Sequence, residues 1–255
     1  MAKKIKVGAV SYLNTKPLIY GFEQGGMKEE IDLLIDYPAN IAALLQQNEI
    51  SIGLIPVATI PSLTKSHIIS DYCISCNGEV ASVCLFSDVE IDKIEIILLD
   101  YQSRTSVALL KILLKEYWKI SPQLVIAGTG YEKNIGGTTA GLVIGDRAFR
   151  QRLVSTYFFD LGDAWKQLTG LPFVFAAWVS NSILSPDFID KFDTTVQMGL
   201  NNLQQIVIDN PYPYFNLYDY YTRCIEYRTS AEKMLSLDLF LQKISHSDNL
   251  AIKMS

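Results

Sequence analysis

Histidine is almost missing from this chain: His67 and His246 are the only two among 255 residues, and both sit in polar, loop-like surroundings. That scarcity argues against a histidine-based metal centre or a Ser-His-Asp triad. Cysteine is sparse as well. Cys73, Cys76, Cys84 and Cys224 are irregularly spaced, and Cys73-Ile74-Ser75-Cys76 is one C-x-x-C without a second pair, so buried or incidental thiols are expected rather than zinc or redox chemistry. No apolar run reaches the length of a membrane span; Glu95–Leu99 and Leu171–Val179 are strand-sized. Low-complexity tracts and internal repeats are lacking. Gly136-Gly137-Thr138-Thr139 has neither the lysine nor the spacing of a P-loop, and no dinucleotide fingerprint occurs elsewhere.

What is present describes a folded globular protein. Apolar residues make up 49% and charged residues 19% of the chain. A net charge of -5 and a pI near 5.1 disfavour nucleic acid as a partner, while leaving room for a local pocket that takes a small anion. The start, Met1-Ala2-Lys3-Lys4-Ile5-Lys6-Val7, carries positive charge but neither a long apolar core nor a small-residue cleavage site, so a cytoplasmic location is expected. The length allows one large domain or two modest lobes.

The stretch Val10-Ser11-Tyr12-Leu13-Asn14-Thr15-Lys16-Pro17-Leu18 organises the first part of the chain. Ile5, Val7, Ala9 and Val10 read as a buried strand, and Pro17 suits the first turn of a helix, where a missing N–H does little harm. Ser11, Tyr12, Asn14 and Thr15 then lie at the carboxyl end of a strand, the ligand side of an open α/β sheet. Two readings apply: helix capping by Asn14 or Thr15, or contact with a ligand. A β-α-β-α rhythm continues through Ile31–Tyr37, the helix from Pro38, and Ile52-Gly53-Leu54-Ile55-Pro56-Val57. Ile68–Ser75 and Val80–Ser87 read as further strands around the turn Asn77-Gly78, and Ser82 is a hydroxyl inside an apolar strand, needing a partner from the protein or from a ligand.

A new rhythm starts near Asp88. Ile94–Leu99 is a predicted strand, and Tyr101-Gln102-Ser103-Arg104-Thr105-Ser106 opens a helix over Val107–Trp118. That opening is the strongest anion site in the sequence, because uncapped N–H groups, hydroxyls and Arg104 converge within one turn. Simple capping with a solvent-facing arginine is the other reading. Gly141–Ile144 leads through Gly145 to Asp146, which suits the cap of the next helix. Phe158–Leu161 and Phe173–Val179 read as strands, and Phe188–Ile208, Leu217–Arg223 and Ala231–Ile244 as helices broken by Pro211-Tyr212-Pro213-Tyr214. The expected organisation is α/β with a discontinuous lobe from residues 1–88 and 180–255 clasping a second lobe of residues 89–179, with a hinge and a cleft.

Taken in this order, several segments resemble the chorismate dehydratase family of the menaquinone (futalosine) pathway: Ser11 through Leu18, Gly53 through Val57, Ser82 through Ser87, Ser103 through Leu110, Ile144 through Ala148, and Asp160 through Ala176. The resemblance implies a two-lobed fold like the type II periplasmic binding proteins, in a cytoplasmic enzyme without metal or organic cofactor. It also implies loss of water from chorismate to give 3-[(1-carboxyvinyl)oxy]benzoate. Carried onto this sequence, Asn14 and Ser82 become the catalytic candidates. Ser11, Tyr12, Ile55, Pro56, Ser103, Arg104, Thr105, Ser106, Gly145 and Asp146 become substrate-binding candidates. Chorismate is then the expected partner, with no nucleic acid and no membrane, and the oligomeric state is left open. Competing readings are a non-catalytic solute-binding protein, the sister 1,4-dihydroxy-6-naphthoate synthase and a ligand-responsive regulatory module. No histidine or motif carboxylate stands out as a base, and Lys16 would need a strongly lowered pKa, so a substrate carboxylate is the expected proton acceptor.

Overall fold

The structure, a computed structural model, describes residues 4–252, with side chains of the last helix described as far as residue 245. His246 lies outside the described side chains. In chain order, strand β1 (Ile5–Val10) runs through a 3-10 turn (Leu13–Thr15) into helix α1 (Lys16–Glu23), followed by β2 (Ile31–Asp36), α2 (Pro38–Gln46), β3 (Ile52–Pro56) and β4 (His67–Cys76). Next come β5 (Val83–Ser87), β6 (Ile96–Leu99), α3 (Thr105–Leu113), β7 (Gln123–Ile126), β8 (Thr139–Ile144), α4 (Asp146–Gln151), β9 (Tyr157–Asp160) and α5 (Leu161–Thr169). The chain closes with β10 (Phe173–Ser180), α6 (Pro186–Leu200), α7 (Leu203–Asp209), α8 (Leu217–Asp219), β11 (Glu226–Arg228) and α9 (Ala231–Ile252). Pro17 and Pro38 both occupy the first turn of a helix, where no intrahelical bond is lost.

Two compact units divide the chain: residues up to Ser75 with Val174–Thr229, and Cys76–Phe173 with the segment from Ser230 onward. Unit 1 holds a six-stranded sheet in the order β11-β4-β10-β3-β1-β2. Strand β1 is parallel to β2 and β3, while β10 is antiparallel to β3. Every residue of β3 and β10 is buried, which explains why both are apolar but for Ser180 at the end of β10. Phe22, Trp178 and Phe192 pack their rings together with centroids 4.9 to 6.4 Å apart. Helices α1 and α6 touch backbone to backbone: a Cβ added at Gly199 would lie 1.9 Å from the carbonyl oxygen of Pro17. Only glycine permits that approach, and it fixes the helix that follows the Ser11–Thr15 turn.

Unit 2 holds a five-stranded sheet in the order β7-β6-β8-β5-β9. Here β6 is parallel to β7 and β8, whereas β5 is antiparallel to β8 and β9. Helix α9 belongs to this unit. Its Ser236 hydroxyl accepts from the Trp165 indole N–H at 2.9 Å, and Phe240 meets Trp165 and Phe173 edge to face.

These units depart from the expected lobes of 1–88 plus 180–255 and 89–179. The chain changes unit at residues 75/76 and 173/174 because β5 pairs with β8 and β9, not with β4. The C-terminal helix follows its aromatic partners Trp165 and Phe173 rather than the helices that precede it. Strand β5 also starts at Val83, three residues later than the apolar run from Val80 suggests. The helix expected over Val107–Trp118 begins at Thr105 and finishes in a π turn, Leu114–Trp118, closed by Lys119 at φ 56°. The run Phe188–Ile208 is two helices, α6 and α7, parted at Asn201 and Asn202.

Candidate active site

In unit 1 the candidate residues gather where β1 ends. Ser11 still donates its N–H to the Asp36 carbonyl at 3.1 Å, and Thr15 donates to the Tyr12 carbonyl at 3.0 Å to close the turn. Neither Asn14 nor Thr15 caps α1 with its side chain. The Thr15 hydroxyl instead donates to Asn14 Oδ1 at 3.4 Å, so the capping reading of these two residues is not realised. Asn14 is half-buried, and its carbonyl oxygen accepts from the Tyr227 hydroxyl at 2.9 Å. Burial holds the Tyr227 phenol well above its ordinary pKa, so it remains a donor at neutral pH. Strand β1 pairs in parallel with β3 at Val7↔Ile52 and Gly8↔Gly53, so Ser11, just past β1, and Pro56, the last residue of β3, both lie at the carboxyl ends of these strands. Ser11 is exposed and Tyr12 half-buried, whereas Ile55 and Pro56 are buried, paired with Ala177 and Ala176.

Unit 2 brings together Ser82, Gly145 and Asp146, and in the adjoining sheet position the Ser103–Ser106 helix start. The carboxyl ends of the parallel strands β6 and β8 lie side by side, with the amino end of antiparallel β5 next to them. Ser82 is buried immediately before β5, and its carbonyl accepts the Gly145 N–H at 2.8 Å. Gly145 has φ 62° and ψ -150°. It takes the cap position itself, and Asp146 is the first residue of α4 rather than its cap, a correction to the expected role. Ser103 Oγ accepts the Ser106 N–H at 3.0 Å. Capping at this helix start is therefore real and comes from Ser103, while Arg104 is exposed and Thr105 and Ser106 are buried.

Two polar networks support these segments, and sequence reasoning found neither. Asp100, just past β6, has a fully buried side chain that accepts from the Gln102 N–H, the Tyr131 hydroxyl and Arg147 Nη2. Arg147 also pairs with Glu132 at 2.5 Å. Burial raises the Asp100 carboxyl above its ordinary range, with Arg147 opposing. Asp160, at the end of β9, accepts from the N–H groups of Val80 (3.1 Å), Ala81 (2.8 Å), Gly162 (2.9 Å) and Asp163 (3.1 Å). Its position before α5 was readable as a helix cap. Its bonds to Val80 and Ala81 were not, since those residues lie about eighty positions earlier. They also explain the late start of β5, because N–H groups taken by a carboxylate leave the strand ladder.

None of the four cysteines forms a disulfide, and Cys73, Cys76 and Cys84 are buried. Among the described residues, no three His, Cys, Asp or Glu side chains group as metal ligands. No helix among them is long and apolar enough to cross a membrane.

The profile of a family described as menaquinone biosynthesis matches residues 5–246. A chorismate dehydratase of Thermus thermophilus is 30% identical over 196 residues, 68% of this chain and 68% of that protein. Among solved structures, protein AF1704 of Archaeoglobus fulgidus superposes with a TM-score of 0.76 at 14% identity, over 97% of this chain and 98% of that one. The Candida albicans CA3427 gene product, described as having the generic periplasmic binding protein fold, gives 0.61 at 12% identity, covering 94% and 90%. The periplasmic aliphatic sulphonate binding protein SsuA of Escherichia coli gives 0.65 at 13% identity, covering 98% and 89%. At such identities the shared property is the α/β fold of the periplasmic binding proteins.

Proposed function

Because the chain belongs to the chorismate dehydratase family of menaquinone biosynthesis, we propose that it eliminates water from chorismate to give 3-[(1-carboxyvinyl)oxy]benzoate. The similarity to the Thermus thermophilus enzyme over two thirds of both chains carries this reading. The ring hydrogen on the carbon bearing the enolpyruvyl ether is activated by the ring carboxylate through the intervening double bond. Its loss and the departure of the neighbouring hydroxyl complete an aromatic ring, which supplies the driving force. The protein's tasks are to hold two carboxylates, stabilise charge spreading into the ring carboxylate and assist the leaving hydroxyl.

Ser103, Arg104, Thr105 and Ser106 at the start of α3 are the proposed carboxylate clamp, with Gly145 and Asp146 from the adjoining corner. The helix N–H groups and the guanidinium suit an anion. Asn14 and Ser82 are the proposed hydrogen-bonding groups for the leaving hydroxyl or the enolpyruvyl carboxylate, and Ser11, Tyr12, Ile55 and Pro56 are proposed to line the substrate. For the proton, a substrate carboxylate is the proposed acceptor. Buried Asp100 and half-buried Asp160, two carboxylates near these segments, already accept from several N–H or hydroxyl donors. This chemistry asks nothing of a metal or an organic cofactor.

The test is to mix the purified protein with chorismate, without added metal or cofactor, and follow products by mass spectrometry. A product lighter by one water, with the spectrum of a substituted benzoate, is expected. Unchanged chorismate with a folded protein would overturn the assignment and leave solute binding as the alternative.

A further inference from the structure

We propose that Asp160 is a positioning residue for this reaction, its carboxylate holding the Val80–Ala81 turn and, through that turn, the placement of Ser82. The inference rests on the catalytic reading of Ser82, and its own geometry lies wholly within unit 2.

Ala81 is a non-glycine residue at φ 63°, a left-handed conformation that an alanine does not adopt unless its surroundings impose it. Both of its backbone polar groups are held. The N–H goes to Asp160 Oδ2 at 2.8 Å, and the carbonyl accepts from Arg152 Nη1 at 3.2 Å. Arg152 is itself anchored by Glu79 at 2.5 Å and by the face of Phe158, 4.0 Å from the ring centroid. The next residue is Ser82, whose carbonyl is tied to Gly145. Asp160 simultaneously caps α5 through Gly162 and Asp163. One carboxylate thus joins helix α5, the strained turn and the residue beside the proposed chemistry.

Four N–H donors point at the two oxygens of Asp160, an arrangement that suits an ionised carboxylate. A protonated carboxyl turns one oxygen into a donor and leaves fewer acceptor sites for those N–H groups. The charged and titratable groups facing it are the Cys84 thiol of β5 at 3.6 Å, Arg152 after α4, Glu79 before the turn and Asp163 of α5. Burial pushes the Asp160 carboxyl up to about 6, against the pull of the backbone N–H groups. A groove of about 510 Å³ lined by Trp118, Arg152, Phe158 and Asp160 itself gives protons a route to it. As pH falls through this region the carboxyl gains a proton while staying in place, an oxygen that accepted from Val80 or Ala81 becomes a donor, and the turn loosens although the fold as a whole does not.

The experiment measures kcat and KM for chorismate from pH 5 to 8, together with amide hydrogen exchange over residues 78–86 corrected for intrinsic rates. The parent protein, Asp160→Asn and the double variant Asp160→Asn with Ala81→Gly are compared. For the parent, kcat/KM and the protection of Val80 and Ala81 fall together with a midpoint near pH 6. Asp160→Asn lowers kcat by roughly tenfold, the scale of one lost charge-assisted hydrogen bond, with KM much less affected and no inflection near pH 6. Ala81→Gly in that background restores part of kcat, because glycine adopts the turn without being held. An Asp160→Asn protein with parental kcat, or one keeping the parental inflection, would overturn the proposal. So would protection of Val80 and Ala81 that is unchanged across pH 6 in the parent. A parent that turns over no chorismate at any pH defeats the dehydratase reading instead, while the exchange profile still decides whether Asp160 holds the turn. The same profile decides the matter if Asp160→Asn does not fold.

Discussion

Gly145 gives its backbone N–H to the carbonyl oxygen of Ser82 at 2.8 Å, from a conformation (φ 62°, ψ -150°) that is almost exclusive to glycine. Replacing it with alanine is expected to destabilise the protein by about 1–3 kcal/mol, the usual cost of forcing a side chain into such a region. Urea unfolding measures that cost. Turnover at saturating chorismate should fall further than the stability loss explains, since the bond to Ser82 is disturbed directly.

Tyr227 reaches the Asn14 carbonyl across unit 1 at 2.9 Å. Tyr227→Phe removes only the hydroxyl, so the expected stability loss is about 1 kcal/mol. If the bond orients the Asn14 turn, kcat drops severalfold while the melting temperature shifts by a few degrees. Unchanged kcat would show that the turn holds its geometry without this anchor.

Asn14→Ala and Ser82→Ala address the proposed chemistry itself. Each is expected to lower kcat by about a hundredfold or more, the scale of losing one hydrogen-bond donor aimed at developing charge. Neither side chain caps a helix, so circular dichroism and urea midpoints should stay close to those of the parent. Near-normal turnover in both variants would remove these residues from the mechanism.

Burial raises the carboxyls of Asp100, Asp160 and Asp193 above their ordinary range. The native protein then keeps protons that the unfolded chain has already released. The stability from Asp160 is therefore fully present below its unfolded value of 3.8 and is lost as pH rises to about 6. Urea unfolding between pH 4.5 and 6.5 should show Asp160→Asn flattening the decline in stability relative to the parent. Identical slopes would contradict the raised carboxyl. Activity is expected to run the opposite way over the same range, which separates the turn's role from global stability.

Phe240 is fully buried and meets Phe173 at 5.1 Å and Trp165 at 6.2 Å between ring centroids. Phe240→Ala should cost about 3–5 kcal/mol by leaving a cavity among rings that cannot all move. A two-probe unfolding experiment, with Trp165 fluorescence as one signal, would register the loss in unit 2. A change under 1 kcal/mol would mean that α9 contributes little to this core.

Much of the molecule follows from local sequence. The apolar run Ile5–Val10 followed by Pro17 specifies a strand, a polar turn and a helix, and Ser103–Ser106 before the leucine face of α3 specifies a helix start. The segments that mark the family are legible for the same reason, being continuous stretches of the chain. The hydroxyl of Ser82 was readable as a candidate; the shape of the backbone that carries it was not. Apolar periodicity reports which faces are buried but not which partner buries them, so β5 and α9 found their unit only through β8, β9, Trp165 and Phe173. Backbone N–H groups must also be satisfied wherever an acceptor lies, and for Val80 and Ala81 that acceptor is Asp160, about eighty residues further on. Sequence alone thus determined the order of elements and the residue types at the candidate site. Tertiary structure decided the conformation that presents Ser82, because hydrogen bonding to a distant carboxylate outweighed the local preference of Val80–Ser82 for a strand.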